Sequence, residues 1–276
     1  MPLKLMYITN CTNIATIAEK SGVDRIFVDL EYIGKSLRQG GMDTVQNRHT
    51  PSDAAAIKKI LTKSELLVRI NPIHDASDEY TSTEDEINEV VNAGADIIML
   101  PYFKTASEVQ RFIKAVNGRA KTMLLFESAK SIENIDSIIK LKGIDEVFIG
   151  LNDLSLEYGK KFLFEILADG TVAKIVEKFK LANLAFGFGG LATLDGGALP
   201  GKKVVPEHYY LGSGCVILSR AFCNTNVIKD VDEIKNIFTT GVKNLRKYEE
   251  FLCKQDNAFF EQNHKELQKI VAEICK

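Results

Sequence analysis

The sequence predicts an α/β fold, a closed (β/α)8 TIM barrel with a C-terminal helical extension, and three observations lead there. Short apolar runs recur along the chain, and most are separated by stretches with helical periodicity. The runs lack a clean alternation of apolar and polar positions, as parallel strands buried on both faces do. The length of 276 residues suits a barrel of roughly 250 residues with a modest addition.

The runs, in order, are LKLMYIT (3–9), RIFVDL (25–30), ELLVRI (65–70), DIIMLP (96–101), KTMLLF (121–126), EVFIGL (146–151), LAFGF (184–188) and CVILS (215–219). Between them lie ATIAEKSG (15–22), PSDAAAIKKILTK (51–63), TEDEINEVVNAG (83–94), TASEVQRFIKAVNG (105–118) and SIENIDSIIKLKG (131–143). Most of these open on Ser, Thr or Pro and several close on Gly, which are helix start and stop signals. No G-x-G-x-x-G opens a helix, which weakens an open dinucleotide-binding sheet. Longer connections, 31–50 and 189–206, follow the second and seventh runs and therefore belong to the C-terminal face, where such barrels keep their active sites. The barrel core is placed at 1–228. Residues 229–276 carry apolar stripes (Val231, Ile234, Ile237, Phe238, Val242, Leu245, Tyr248, Leu252, then Phe259, Phe260, Leu267, Ile270, Val271, Ile274). They read as helices of the same domain, either as extra cover or as a subunit contact.

Composition narrows the function. With 45% hydrophobic and 26% charged residues and a net charge of −2, the chain has the make-up of a globular protein without the basic surplus of a nucleic-acid binder. A small-molecule ligand is the better default. The five cysteines are scattered with no C-x-x-C pair, and read as reduced thiols. No apolar run approaches the ~18 residues a membrane span needs and no leader is evident at MPLKLMYITN, so a cytoplasmic enzyme is expected.

Polar residues at the ends of the runs converge on one mouth in a barrel. They are Asp29 and Glu31 after the second run, Arg69 and Asn71 after the third, Glu127 after the fifth, and Asn152 and Asp153 after the sixth. Glu127 and Asp153 come from neighbouring strands, and two carboxylates so placed repel unless something neutralises them. A hard divalent cation, Mg²⁺ or Mn²⁺, does this with oxygen ligands and leaves positions for substrate. Arg69 then offers a fixed positive fork for a carboxylate or enolate. The bland reading is that these acids pair with Arg69 or cap helices.

Taken in order, VDLE, LLVRINP, GADIIMLPYFKTASEV, LLFES and VFIGLNDLS resemble the HpcH/HpaI aldolase and citrate lyase β-subunit family of metal-dependent barrels over residues 23–155. The resemblance implies Glu127 and Asp153 as metal ligands and Arg69 as the catalytic, substrate-binding arginine. It implies backbone donors to the substrate carboxylate from Gly150, Leu151 and Asn152, and a supporting role for Asp29 and Glu31 behind Arg69. It also implies a carbon–carbon lyase or aldolase-like enzyme acting on a 2-keto acid through a pyruvate-type enolate, in a homo-oligomer. The alternatives are a citrate-lyase-like acyl-CoA ester lyase, and a non-catalytic keto-acid binding or sensor protein.

The sequence departs from that family at its proton relay. Tyr32 stands where a histidine is expected, and Asn92 where its acidic helper on the next helix is expected. His49 and His74, both in connections on the active-site face, are the candidates to replace it as acid or base. His208 and His264 are placed less favourably. Lys104 reads as a solvated loop lysine rather than a nucleophile, and GFGGLATLDGG (187–197) as a flexible loop, with a phosphate grip as the sharper option.

Overall fold

The computed structural model describes residues 2–35 and 49–276. Eight parallel strands close into a barrel in chain order. They are β1 (Lys4–Ile8), β2 (Arg25–Asp29), β3 (Glu65–Arg69), β4 (Ile97–Leu100), β5 (Lys121–Phe126), β6 (Glu146–Ile149), β7 (Ala185–Leu191) and β8 (Cys215–Leu218). The circle closes through β1 on β8, with Leu5 opposite Val216 and Met6 opposite Ile217. The TIM barrel expected from the apolar runs is the fold.

Around the barrel run α1 (Thr12–Lys20), α2 (Pro51–Ile60), α3 (Thr83–Asn92), α4 (Ala106–Val116), α5 (Ala129–Glu133), α6 (Ile135–Ile138), α7 (Leu151–Glu157), α8 (Glu165–Ala168), α9 (Thr171–Leu181) and α10 (Gly201–Leu211). Two longer helices follow, α11 (Val231–Leu252) and α12 (Asn257–Ile274). Their starts follow from local chemistry. Thr50 and Thr105 each accept a hydrogen bond from the backbone three residues on, and Asp53 and Glu108 return one, forming capping boxes on α2 and α4. None of the helices among the described residues is long and apolar enough to cross a membrane.

Alternate strand residues face two cores. Met6, Phe27, Leu67, Ile97, Met99, Met123, Leu125, Phe148 and Cys215 fill the barrel interior, while residues such as Ile26, Val28, Leu66, Val68 and Ile98 face the helices. The floor of the barrel is closed by Arg25, fully buried, which grips Glu146 with two hydrogen bonds of 2.7 and 2.6 Å and Glu65 with one of 2.9 Å. The inner core is packed and its floor is tied by ion pairs, while the polar strand tips lead to the opposite, C-terminal mouth.

Two expected loops differ. The glycine-rich stretch begins as strand, since β7 runs on to Leu191, with a register shift against β8 between Gly187 and Gly190. Glycine is required at 187 because a side chain there would collide with Cys215 and Phe148. Residues 201–206, assigned to the same long connection, form the first turns of α10, with Pro206 inside the helix. The region read as one helix at 131–143 is two short ones, α5 and α6. The stripe on α11 buries Ile234, Phe238, Val242, Leu245 and Leu252 against the rest of the chain, whereas Val231 stays exposed. α12 packs on α10 and α8. Of the connection 31–50, residues 36–48 lie outside the described residues.

Candidate active site

The C-terminal mouth of the barrel holds two cavities, of about 290 and 330 Å³, that share Arg69, Ile217 and Ser219 as lining. The smaller one contains Glu127, Gly150, Leu151, Asn152 and Asp153 together with Arg69. The larger contains Asp29, Lys35 and His49 beside Arg69, with residues following β1 and β8. Arg69 therefore stands in the wall between them.

Arg69 closes β3, pointing across the barrel mouth, and lies over the Phe27 ring at 5.5 Å. Its Nε and one Nη donate to the two oxygens of Asp29, both at 2.8 Å, and the other Nη lies 3.3 Å from Glu31. Such a paired grip fixes the plane of a guanidinium far better than a single contact. Lys35 donates to Asp29 at 2.9 Å and lies 3.6 Å from Glu31. Burial alone would push the Asp29 carboxyl up, but the Arg69 guanidinium and the Lys35 ammonium outweigh it and hold it well below its usual range. Burial likewise works against the Arg69 cation and is outweighed by Asp29 and Glu31. Asp29 and Glu31 thus stand behind Arg69 as an anionic cradle.

Glu127 and Asp153 are both buried and line the same cavity. Glu127 follows β5, and one of its oxygens accepts the Tyr102 backbone N–H at 3.1 Å. Tyr102 adopts a positive φ of 45° to make the turn after β4. Asp153 sits in the first turn of α7, where Gly150 rather than a side chain forms the cap. Asn152 Nδ2 donates to Asp153 Oδ1 at 3.0 Å, steadying that carboxylate. Gly150 leaves room for the acid beside it, since a Cβ there would stand 2.8 Å from Glu127 Cβ and 2.9 Å from its Oε2. The Gly150 N–H donates to Phe126 O at 3.0 Å, so of the three backbone donors expected from this turn it is already engaged. Leu151 and Asn152 are left for that role.

The histidines part company. The His49 ring lines the larger cavity, with its Nδ1 accepting the Asp29 backbone N–H at 3.0 Å. Burial lowers its pKa, opposed by the nearby Asp29 charge. His74 lines neither cavity. Its ring nitrogens lie 2.7 Å from Pro72 O and 2.9 Å from Thr81 O, within the loop that leads to α3. His208, in the last turn of α10, is wholly buried between that helix and β7, stacked on Phe188 at 3.9 Å, and burial pushes its pKa down to about 3. Tyr32 is 54% exposed. Asn92 requires a correction, because it closes α3 at the end leading to β4, away from the strand tips. A helix that returns antiparallel to its strand carries its last residues to the opposite face. The acid that α3 keeps near the site is Glu86, buried, which accepts from Asn71 N and Asn71 Nδ2. Asn71 in turn accepts the backbone N–H groups of Tyr32 and Ile33 at 2.9 and 3.0 Å.

Lys35, Glu86, Ser219 and Arg220 escape the sequence reading. The strand-tip rule that selects Arg69 and Asp153 would also have selected Thr9 and Asn10 after β1 and Ser219 and Arg220 after β8, all of which line the larger cavity. Lys35 needed the knowledge that Glu31, four residues earlier, is buried.

The donor set suits a hard divalent ion. It offers two buried carboxylates, and among the described residues no group of three or more His, Cys, Asp or Glu side chains forms a closed metal cluster. Mg²⁺ is commonly bound through one or two carboxylates, with water and substrate oxygens completing its shell.

Residues 5–186 match the family model described as HpcH/HpaI aldolase/citrate lyase. The chain is 23% identical over 195 residues to 4-hydroxy-4-methyl-2-oxoglutarate aldolase cghB of Chaetomium globosum, a match covering 59% of this chain and 65% of that protein, just under two thirds of its length. It is 23% identical over 200 residues to a hydroxypyruvate/pyruvate aldolase of Roseobacter denitrificans, covering 61% and 76%. Among solved structures, an HpcH/HpaI aldolase/citrate lyase family protein from Burkholderia cenocepacia superimposes with a TM-score of 0.61 at 15% identity, covering 85% of this chain and 95% of that one. An HpcH/HpaI aldolase from Desulfitobacterium hafniense gives 0.60 at 17% identity, covering 85% and 93%. At those identities the structures speak for the fold, and the family model for descent. The chain belongs to the HpcH/HpaI aldolase/citrate lyase family.

Proposed function

We propose that this protein is a carbon–carbon lyase that acts on a 2-keto acid through a pyruvate-type enolate. One observation carries the reading: buried Glu127 and Asp153 line the same cavity as an arginine whose guanidinium is locked by Asp29 and Glu31. Two acids and a fixed cation facing one small space suit a ligand that carries negative charge and exposes oxygens to a cation. Both relatives, a 4-hydroxy-4-methyl-2-oxoglutarate aldolase and a hydroxypyruvate/pyruvate aldolase, agree with that class.

Glu127 and Asp153 would hold Mg²⁺ or Mn²⁺, and the ion, when bound, would supply Lewis-acid polarisation of the substrate's keto group. Arg69 holds the substrate from the opposite wall. Its cation is in place before reaction, so charge developing on the enolate oxygen meets a preorganised partner and no reorganisation is needed at that moment. Asp29, Glu31 and Lys35 position Arg69 and do not touch substrate. Asn152 keeps the Asp153 carboxylate in orientation, and the N–H groups of Leu151 and Asn152, in the first turn of α7, offer donors to the substrate carboxylate. Lys104 takes no covalent part in this scheme; its ammonium lies 5.2 Å from the Tyr102 ring centre.

The test uses pyruvate in D₂O with Mg²⁺ or Mn²⁺, followed by proton NMR. Loss of the methyl signal that depends on the metal and stops on chelation supports the reading. No exchange above buffer with either metal, together with no decarboxylation of oxaloacetate, sinks it.

A further inference from the structure

Tyr102 makes the turn after β4 at a φ of 45°, a left-handed conformation in which a bulky side chain is strained. Glycine would make the same turn freely. What tyrosine adds is a hydroxyl, and the hydroxyl is used. Tyr102 Oη donates to Glu157 Oε1 at 2.5 Å, and the other oxygen of Glu157 accepts the Ala129 N–H at 2.6 Å. The Tyr102 N–H meanwhile donates to Glu127 Oε1 at 3.1 Å.

One residue thus holds Glu127 through its backbone and holds α7, the helix that carries Asp153, through its side chain. Glu157 closes α7 one turn beyond Asp153 and on the same face. Both acids line a space of about 180 Å³ together with Tyr102 and Leu156. Ala129 opens α5 just past Glu127, so the second oxygen of Glu157 ties α7 back to the segment that bears the other acid.

The frame around this link is fixed. Phe103 is buried edge-on against Phe126 at 4.9 Å, and Ser128 Oγ donates to Phe103 O at 3.0 Å, which joins the turns after β4 and β5. The Lys104 ammonium lies over the Tyr102 ring, 5.2 Å from its centre. The Gly150 N–H on Phe126 O holds α7 at its start, and Glu157 holds it at its end, with Asp153 between.

We infer that Tyr102 and Glu157 are positioning residues that set the spacing of Glu127 and Asp153 for a divalent ion. The inference rests on the enolate reading above and adds the residues that keep its two acids in register. In this role neither side chain touches the ion. Tyr102 acts on Glu127 through its N–H, and Glu157 acts on Asp153 through α7. Mg²⁺ demands near-ideal octahedral geometry, so two acids free to drift apart would bind it less well, whereas Ca²⁺ accepts irregular shells and would lose less.

The experiment titrates Mn²⁺, Mg²⁺ and Ca²⁺ by calorimetry into the full chain and its variants, with urea midpoints and Mn²⁺-dependent pyruvate methyl exchange measured on the same preparations. Tyr102→Phe removes only the hydroxyl, and Tyr102→Gly removes it while keeping the N–H and relieving the turn. Both are expected to weaken Mn²⁺ and Mg²⁺ by about fivefold or more, and Ca²⁺ by less, with exchange falling in step. Glu157→Ala should match or exceed that loss, and Glu157→Gln should recover part of it through its remaining acceptor oxygen. Tyr102→Phe combined with Glu157→Ala should bind no more weakly than Glu157→Ala alone, since both break one link. Folded variants that bind all three ions as wild type does overturn the inference, as do variants that lose only their urea midpoint or whose losses add in the double substitution. In each of those cases wild-type Mn²⁺ binding and exchange leave the enolate reading standing. A wild type that neither binds Mn²⁺ nor exchanges pyruvate protons takes both down.

Discussion

Substituting Gly150 by alanine probes the site through one atom. The backbone tolerates it, since Gly150 has φ −79° and ψ 90°, so the effect comes from contact alone. The new Cβ would stand 2.8 Å from Glu127 Cβ and 2.9 Å from Glu127 Oε2, where carbon atoms come no closer than ~3.5 Å without repulsion. Relief requires a shift of roughly 0.7 Å, taken by the Glu127 side chain or by the turn into α7 that carries Asp153. Either movement changes the spacing of the two acids. A displacement near 1 Å in a catalytic constellation costs on the order of 10²-fold in rate, while overpacking of this size costs about 1–3 kcal/mol of stability. The assay is Mn²⁺ affinity by calorimetry together with pyruvate methyl exchange on folded protein. Gly150→Ala is expected to lose about tenfold or more in each. A folded variant with wild-type affinity and exchange would refute the placement of the metal between these carboxylates.

Three further outcomes follow from other parts of the chain. Arg25→Met leaves the carboxylates of Glu146 and Glu65 without their guanidinium on the barrel floor, so unfolding free energy should fall by about 3–5 kcal/mol, with part of it regained on adding Glu146→Gln; an unchanged urea midpoint for Arg25→Met contradicts this. Glu207 is buried and accepts from His264 at 2.8 Å and from Asn263 at 2.9 Å, tying α12 to α10. The Glu207 hydrogen bond raises the His264 pKa against the effect of burial. That contribution is complete below the unfolded histidine value and is lost as pH rises through the raised folded value, so His264→Gln should destabilise at pH 5.5 to 6, as ~6.5 is the unfolded value, and much less at pH 9; equal loss at both contradicts it. Burial pushes Cys215 up to about 12 and Cys223 up to about 11; a thiol reagent at pH 8 should label exposed Cys11 and Cys253 in native protein and reach Cys215 only on unfolding, which peptide mass mapping would decide.

The barrel was legible because strands buried on both faces leave unbroken apolar runs, and helices that start on Thr50 or Thr105 advertise their caps. β7 was cut short in the sequence because glycines carry no strand signal, although Gly187 is there to let β8 approach. The first turns of α10 were hidden for a related reason, with Gly201 and Pro206 imitating a loop. At the site, residues at strand tips were visible from topology alone, which is why Arg69, Glu127 and Asp153 could be named together. What topology could not supply was depth along a helix. Asn92 and Glu86 lie on the same helix six residues apart, roughly 9 Å along its axis, and only the structure decides which end meets the mouth. Lys35 was illegible for another reason: a lysine after a strand is ordinarily solvated, and its burial depends on the two acids folding around it.

The central claim is that Glu127 and Asp153 together would hold a divalent ion in the cavity that Arg69 also lines. Titrating Mn²⁺ into wild type, Glu127→Gln and Asp153→Asn, with pyruvate methyl exchange measured on the same samples, tests it most directly. Both substitutions keep shape and remove one charged ligand each. The account predicts one Mn²⁺ per chain for wild type, affinity weakened by at least about tenfold in each variant, and exchange that falls with it. Variants that bind Mn²⁺ and exchange pyruvate protons as wild type does would contradict it.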